Sequence, residues 1–474
     1  MEVISLRHLK EENENTFNTL EKDNILNILK EFIAKKKKAK ESAEKWLGLE
    51  FSPDTDEIRP SHYIGQIWLD PKRLGLRVDY TAGMKDWRPD VFAMLRHCLE
   101  DQAVARRLCD KSLFLDLDQT PLETKEQKEV NLLVIVRFLR DLYDLCRRFL
   151  RRGFIRVEDN LPARCKGRLL INDNLRHNLT RGRADRLYCQ FQVHSLDSPL
   201  NQILRAALEQ SLRYLRRLGW ENKICLWHWG NFALATLAGV RLRRIYPSEF
   251  SGWHLTGLLR PYRQPINSAK IILRLLGSDP TSELSKELPK QAALPPYSIN
   301  MFELFERYCE VWLRRKLKKL WAGYDDQNLG EVITIRPDFI GPAITEEGKI
   351  IDDAFGIYDA KYKYNWVTRA KKSGDDEDSC RGDVYQLLAY SRHQLKNKKG
   401  AGPDISRYKQ GIYGLYVLIP EFSSISEVSS SSILKNPKIF CQDDFVKDTF
   451  DSNGQKQPLQ FFTIDVAVPK KSSS

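Results

Sequence analysis

Apolar positions recur along this chain in more than one rhythm, and the rhythm changes with position. From Leu132 to Arg152 and again from Ser195 to Leu218 they repeat at helical spacing. The second run opens with Asp197 or Ser198 as N-cap and Pro199 in the first turn, and Gly153 stands where a cap would end the first. The helical pattern continues from Ile224 to Leu242, so residues 131–278 read as a mainly helical middle domain. Trp220, Trp227 and Trp229 read there as core rather than as platforms for stacked bases. Upstream, residues 1–130 read as a small α+β region. It has a charged, helical-looking stretch to about Leu47, with Lys35 to Lys38 and Lys40 touching DNA or, as the better reading, on a solvated face. Tyr63–Leu69 and Leu74–Val78 then form a hairpin around Asp70 and Pro71. Residues 279–296, with Pro280, Pro289, Pro295 and Pro296 among polar positions, read as a linker. After it the pattern turns to short runs rich in β-branched residues, so residues 297–474 read as an α/β domain, a mixed sheet flanked by helices. Its expected elements are a helix from Asn300 to Trp321, strands over Glu331–Ile335 and Phe355–Tyr362, a helix from Asp383 to His393, and strands over Gly411–Ile419 and Phe461–Val468.

Candidate chemistry lies in this last third. Pro337 ends the pairing of the Glu331–Ile335 strand and leaves Asp338 at a turn or at the start of the next strand. On the Phe355–Tyr362 strand, alternation puts Ile357, Asp359 and Lys361 on one face and Tyr358, Ala360 and Tyr362 on the other. Asp359 and Lys361 are then about 6.6 Å apart along the strand, two steps of roughly 3.3 Å. A charged pair on an otherwise apolar strand needs a partner or a metal, because a buried lone charge is costly. Two carboxylates and a lysine in this order suit metal-dependent phosphodiester cleavage. Mg²⁺ takes one or two carboxylates plus water and substrate phosphate, and Asp338 and Asp359 would supply them, with Lys361 orienting the attacking water and neutralising the transition state. The alternative is a surface ion pair with Asp338 capping a turn. Glu306 falls in the apolar stripe Phe302, Cys309, Leu313, Leu317 and Leu320, beside a polar face of Glu303, Arg307, Glu310 and Arg314. It is a metal ligand, a supporting group, or an edge ion pair. Gln386 and Tyr390 share a helix face and would position a phosphate or nucleotide, or else form a core rim.

The order P-D, D-A-K, Q-x-x-x-Y resembles the PD-(D/E)xK nuclease superfamily with a RecB-like helix after the core. The surrounding words are similar to the McrC family, the nuclease subunit of McrBC-type, modification-dependent restriction and antiviral-defence systems. They are Leu304 to Tyr308, Asp359 to Lys363 and Asp383 to Tyr390, with Arg152 to Ile155, Glu158 to Pro162, Lys166 to Leu169 and Asp197 to Leu208 upstream. The likeness covers about residues 130 to 395. It implies that 297–474 is a PD-(D/E)xK nuclease domain, with Asp338, Asp359 and Lys361 as the catalytic set and Glu306 and Gln386 in support. It implies Mg²⁺, with Mn²⁺ as a substitute, an McrB-like AAA+ GTPase partner docked by the N-terminal region, and DNA carrying modified cytosine that the partner recognises. Lys363, Asp383 and Tyr385 match too, without an assigned role. The lysine-rich N-terminus and the acidic Asp375 to Asp378 insert depart from the pattern.

Composition changes this picture little. A net charge of +13 and a pI near 9.1 favour polyanion partners. Nine scattered cysteines without C-x-x-C, and no H-E-x-x-H, argue against structural zinc and a disulfide framework, and fit a reduced, cytoplasmic chain. There is no apolar leader or stretch of about 18 apolar residues, so no membrane role is expected. No Walker-type phosphate loop is present, so any energy-dependent step belongs to a partner. Three readings stay open: a GTPase-driven DNA endonuclease subunit, a self-contained defence or repair nuclease, and a non-catalytic assembly subunit that stimulates a motor. The intact Asp338, Asp359 and Lys361 argue against the third.

Overall fold

The computed structural model describes residues 2–9, 31, 49–52, 57–60, 62–70, 74–81, 89–111, 113–115, 122–124, 128–220, 224–250, 253–278, 292–322, 337–363, 380–392, 411–421, 434–441 and 460–469. Packing divides the chain into one unit of residues 1–114 with 296–474 and another of 115–295. The first 114 residues therefore share a unit with the C-terminal part, where the sequence division set 1–130 apart. The cause is a shared sheet. Tyr297–Asn300 pairs antiparallel with Tyr63–Gln66. Gly65, at φ +153°, lets that strand approach: a Cβ there would lie 2.1 Å from the Tyr297 carbonyl oxygen.

That sheet has five strands in the order Glu2–Leu9, Leu74–Thr81, Tyr63–Asp70, Tyr297–Asn300 and Leu113–Leu115. The expected hairpin is present, with Gly65 opposite Val78 and Ile67 opposite Leu76. Glu2–Leu9 corrects the helical expectation for the N-terminus: it is a strand, parallel to Leu74–Thr81. The lysine run after it lies outside the described residues.

The same unit holds a second, six-stranded mixed sheet. Its elements are helix α1 (Met301–Leu317), strands β1 (Trp321–Ala322), β2 (Phe339–Ile344) and β3 (Ile350–Ala360), helix α2 (Cys380–Arg392), and strands β4 (Gly411–Glu421), β5 (Lys438–Cys441) and β6 (Gln460–Ala467). The strand order is β1-β2-β3-β4-β6-β5. β2 and β3 are antiparallel, while β3, β4 and β6 run parallel. The expected strand over Glu331–Ile335 lies outside the described residues.

The two faces of this sheet are built differently. On one, Tyr358, Tyr416 and Phe462 stack in succession, with ring centroids 4.5 and 4.9 Å apart. Gly356 and Gly414 make room, since a Cβ on either would strike the neighbouring ring. The tyrosine hydroxyls donate to the Pro342 and Ile344 carbonyls at 2.6 and 2.7 Å, so each buried O–H is satisfied. On the other face Ile340, Phe355, Ile357, Leu415 and Val417 pack under Leu387 and Tyr390 of α2. α1 starts at Asn300, whose side chain accepts from the Phe302 and Glu303 amides. Its polar face is not solvated: Arg307 and Glu310 are buried, and Glu310 binds Arg107, Arg307 (3.2 Å) and Arg314 (2.8 Å). Helices Val91–Cys98 and Gln102–Lys111 cover that side, which is tolerated because the buried acid is fully paired.

The 115–295 unit is helical, with an added three-stranded sheet of Gly153–Pro162, Arg186–Ser195 and Arg168–Leu169. Pro199–Arg217 is capped by Ser198, as expected, while the third helix stops at Thr236. Helix Lys128–Asp144 ends in a π-turn over Leu145–Phe149, and Leu150 is extended. Gly153 is therefore no helix cap. It opens a strand, packed against Ser198. Trp229 is core, and Trp227 is half-buried with Arg216 over its ring. Of the linker, only residues 292–296 are described, and Ala292–Leu294 form a strand.

Candidate active site

The site forms where β2 and β3 meet under α2. Phe339 opposes Tyr358 and Ile340 opposes Ile357, so the same register carried one step back sets Asp338 against Asp359. Asp338 turns its carboxylate onto the neighbouring strand and accepts from the Ala360 amide at 2.8 Å. Asp359 is 1 % exposed and lies on the face that α2 covers. Lys361 sits just past the end of β3, where its amide still donates to the Leu418 carbonyl at 2.9 Å. Its ammonium group lies 2.7 Å from Asp359 Oδ2, donates to Gln386 Oε1 at 3.1 Å, and is 3.8 Å from Asp383. Gln386 in turn donates to the Tyr390 hydroxyl.

The electrostatics follow from this crowding. Burial pushes the Asp338 carboxyl well above its ordinary range, and the negative charges of Asp359 and Glu306 push the same way. Burial raises Asp359 too, against the pull of Lys361. Burial alone would lower Lys361, but Asp359, Asp383 and Asp338 outweigh it, so its ammonium form is favoured. Tyr390 is raised by burial and then by Asp359 and Asp338, and stays protonated. Asp338 holds its proton most readily and stands close enough to hydrogen-bond Asp359, so the pair can share a proton between them.

Five sequence-predicted residues are thus placed as follows. Asp338, Asp359, Lys361 and Gln386 come together. Glu306 is near enough to act on Asp338 by its charge, but it also pairs with Arg307 at 3.3 Å. Among the described residues no three His, Cys, Asp or Glu side chains close on one point as a metal site would require. Two carboxylates with oxygen donors are the set that a hard cation of the Mg²⁺ kind would use, its shell completed by water and phosphate. Gln386 contacts Lys361 and Tyr390, where the spacing alone suggested a phosphate contact. Asp383 had no assigned role. It is buried in the first turn of α2 and binds Lys363 Nζ through both oxygens, at 3.1 and 2.9 Å. Its place one turn before Gln386 was the available signal.

Fold and site together define a mixed α/β protein whose sheet presents a carboxylate pair, one member of it buried, and a lysine beneath one helix. The chain belongs to the McrBC family: the model of the McrBC 5-methylcytosine restriction system component matches residues 78–401. It is thereby a component of an McrBC-type system, as its resemblance to McrC-type chains led one to expect. No curated protein matches it. Two solved assemblies from Thermococcus gammatolerans are similar. The refined half-complex of McrB AAA+ hexamers with bound McrC has 16% identity over 98% of this chain and 94% of that one, at a TM-score of 0.37. The McrBC complex solved by cryo-EM has 18% identity over 66% and 88%, at a TM-score of 0.27. The assignment rests on the family model. Among the described residues no helix is long and apolar enough to cross a membrane.

Proposed function

We propose that this chain is the DNA-cleaving subunit of its system. It hydrolyses DNA phosphodiester bonds when an McrB-like AAA+ GTPase, which reads the modified cytosine, activates it. The observation that carries this reading is the opposed pair Asp338 and Asp359 with the Lys361 ammonium 2.7 Å from Asp359. In this reading the six-stranded sheet with α1 and α2 is a PD-(D/E)xK nuclease domain. Asp338 and Asp359 hold Mg²⁺, for which Mn²⁺ can substitute; bound there, the ion supplies an activated water and charge neutralisation at the phosphate. Lys361 brings positive charge to the scissile phosphate and orients the attacking water. Gln386 and Asp359 fix where that ammonium stands. Glu306 adds negative charge behind the pair. Asp359, buried under α2, meets the Lys361 ammonium where little water screens the pair.

The test is cleavage of methylated and unmethylated DNA by the full chain, with and without the candidate GTPase and GTP, in Mg²⁺ or EDTA. Cutting of modified DNA is expected only with Mg²⁺, partner and GTP together. Absence of Mg²⁺-dependent cutting under every condition would overturn the reading, and cutting without the partner would make the chain a self-contained nuclease.

A further inference from the structure

The basic surplus of this protein is confined to one of its two units. Residues 115–295 hold 30 Lys and Arg against 18 Asp and Glu, a net charge of +12 out of +13 for the whole chain. Within that unit two arginine-rich segments meet. The first is Arg147-Arg148-Phe149-Leu150-Arg151-Arg152, the π-turn and the extended residues after it. The second is Gly257 to Arg263, a 3₁₀ segment with its following residue, which carries Arg260 and Arg263. Tyr262 joins them. Its buried hydroxyl accepts from the Arg151 amide at 2.8 Å, and the two turns pack together. Asn201 fixes the same point, donating to the Arg151 carbonyl at 3.0 Å while it accepts from Tyr262 at 3.1 Å.

Neither segment contains an acidic residue. Arg147, Arg148, Arg151, Arg152, Arg260 and Arg263 are all exposed. Among the described residues Arg147, Arg148, Arg152 and Arg260 form no ion pair. Some arginines of the unit are engaged instead: Arg137, Arg140, Arg241 and Arg243 each bind a carboxylate. A rigid backbone clamp beneath a set of outward, uncompensated guanidinium groups is what repeated phosphate contact requires. A π-turn inserted at the end of a helix is also a common mark of a functional position.

We infer that the surface made by residues 147–152 and 260–263 binds the phosphate backbone of duplex DNA without regard to sequence. The inference rests on DNA being the substrate, and it assigns to the 115–295 unit the grip that the carboxylate site does not supply. Counterion release makes such binding fall with salt at a log–log slope of about −0.9 per contacted phosphate.

The experiment measures anisotropy of a short fluorescein-labelled, unmodified duplex with the full chain in EDTA, between about 50 and 200 mM salt. R147Q/R148Q/R152Q/R260Q should flatten the slope by about 3 to 4, so that the affinity lost over this range shrinks roughly 100-fold. The equally discharged control R176Q/R181Q/R183Q/R186Q, on the small sheet lobe, should leave the slope near wild type. R147Q/R148Q and R260Q made separately should flatten it in proportion, which guards against a quadruple variant that misfolds. Equal loss in control and test variants would reduce the effect to net charge and overturn the inference. An unchanged slope with loss of binding to the candidate GTPase would make the surface a protein-docking site instead. Because nothing is cut in EDTA, this outcome is independent of whether the wild type cleaves DNA in Mg²⁺.

Discussion

The two units of this chain handle charge in opposite ways. In the unit that bears the carboxylates, Lys and Arg nearly balance Asp and Glu, and the decisive charges point inward. Asp359 lies under α2, and Glu310 is buried among three arginines. In the 115–295 unit the surplus is arginine and much of it points outward. A buried charge must be met by a partner, a proton or a metal, so its neighbours can tune it. An exposed arginine is cheap to place and gives affinity that salt screens. We therefore read the first unit as chemistry and the second as grip, and variants should separate the two.

The sharpest break is Asp359→Ala. If Asp359 is one of two ligands to a hard cation, as proposed, its loss removes several kcal/mol of charge stabilisation at the phosphate. Cleavage in Mg²⁺ should fall by at least about 10³-fold, at about tenfold per 1.4 kcal/mol. Duplex binding in EDTA should stay within about twofold of wild type, since its salt-sensitive part lies in the other unit. A variant that still cuts at the wild-type rate would remove Asp359 from the catalytic set. One that loses binding and cutting together would erase the division between the units.

A smaller effect tests what Asp383 does. It binds Lys363 through both oxygens and lies 3.8 Å from Lys361. Asp383→Asn should lower cleavage about 10–100-fold, the usual cost of disturbing a group behind a metal site. The exchange K363D/D383K restores the tether between β3 and α2 but sets a second ammonium against Lys361. Its melting temperature should recover while cleavage stays low. Recovery of both would leave Asp383 a tether only.

The pattern of these residues explains what could be read from the sequence. Strand alternation and the P-D break brought out Asp338, Asp359 and Lys361, because a charge on an apolar strand stands out. Asp383 and Lys363 did not stand out, since an acid in a helix's first turn and a lysine past a strand look like capping and solvation until the helix is docked. Arg307 and Glu310 marked a polar face correctly, but only packing against Val91–Cys98 and Gln102–Lys111 turned it inward. Glu2–Leu9 was hidden by the charged residues that follow it, and its partner is about 70 residues away in sequence. The +13 charge was plain from composition. Its confinement to one unit required the boundaries at 114/115 and 295/296, which only tertiary packing draws.

The smallest expected effect lies in the arginine-rich unit and concerns the arginines that are paired. Asp197 accepts from Gln202 Nε2 at 2.7 Å, the Arg241 amide at 2.9 Å and Arg241 Nε at 2.7 Å. Burial pushes its carboxyl up, but these hydrogen bonds outweigh it and hold the group below its ordinary range. A folded-state pKa below the unfolded value gives stability that is present above the unfolded pKa, about 3.9 for Asp, and is lost as pH falls through the folded one. Arg241 is itself 77% exposed, so solvent screening keeps the ion pair's share small. Asp197→Asn should thus cost only about 1 kcal/mol at neutral pH, since the retained Oδ1 still accepts from the buried Gln202 and only the Oδ2 bond from Arg241 Nε is lost. The gap in melting temperature between wild type and variant should narrow as pH falls below about 4, because the unfolded wild-type chain takes up the proton before the folded one does. A gap that stays constant over that range would show that shape, not charge, holds Arg241 at this position, and that the paired arginines of the unit owe nothing to their carboxylates.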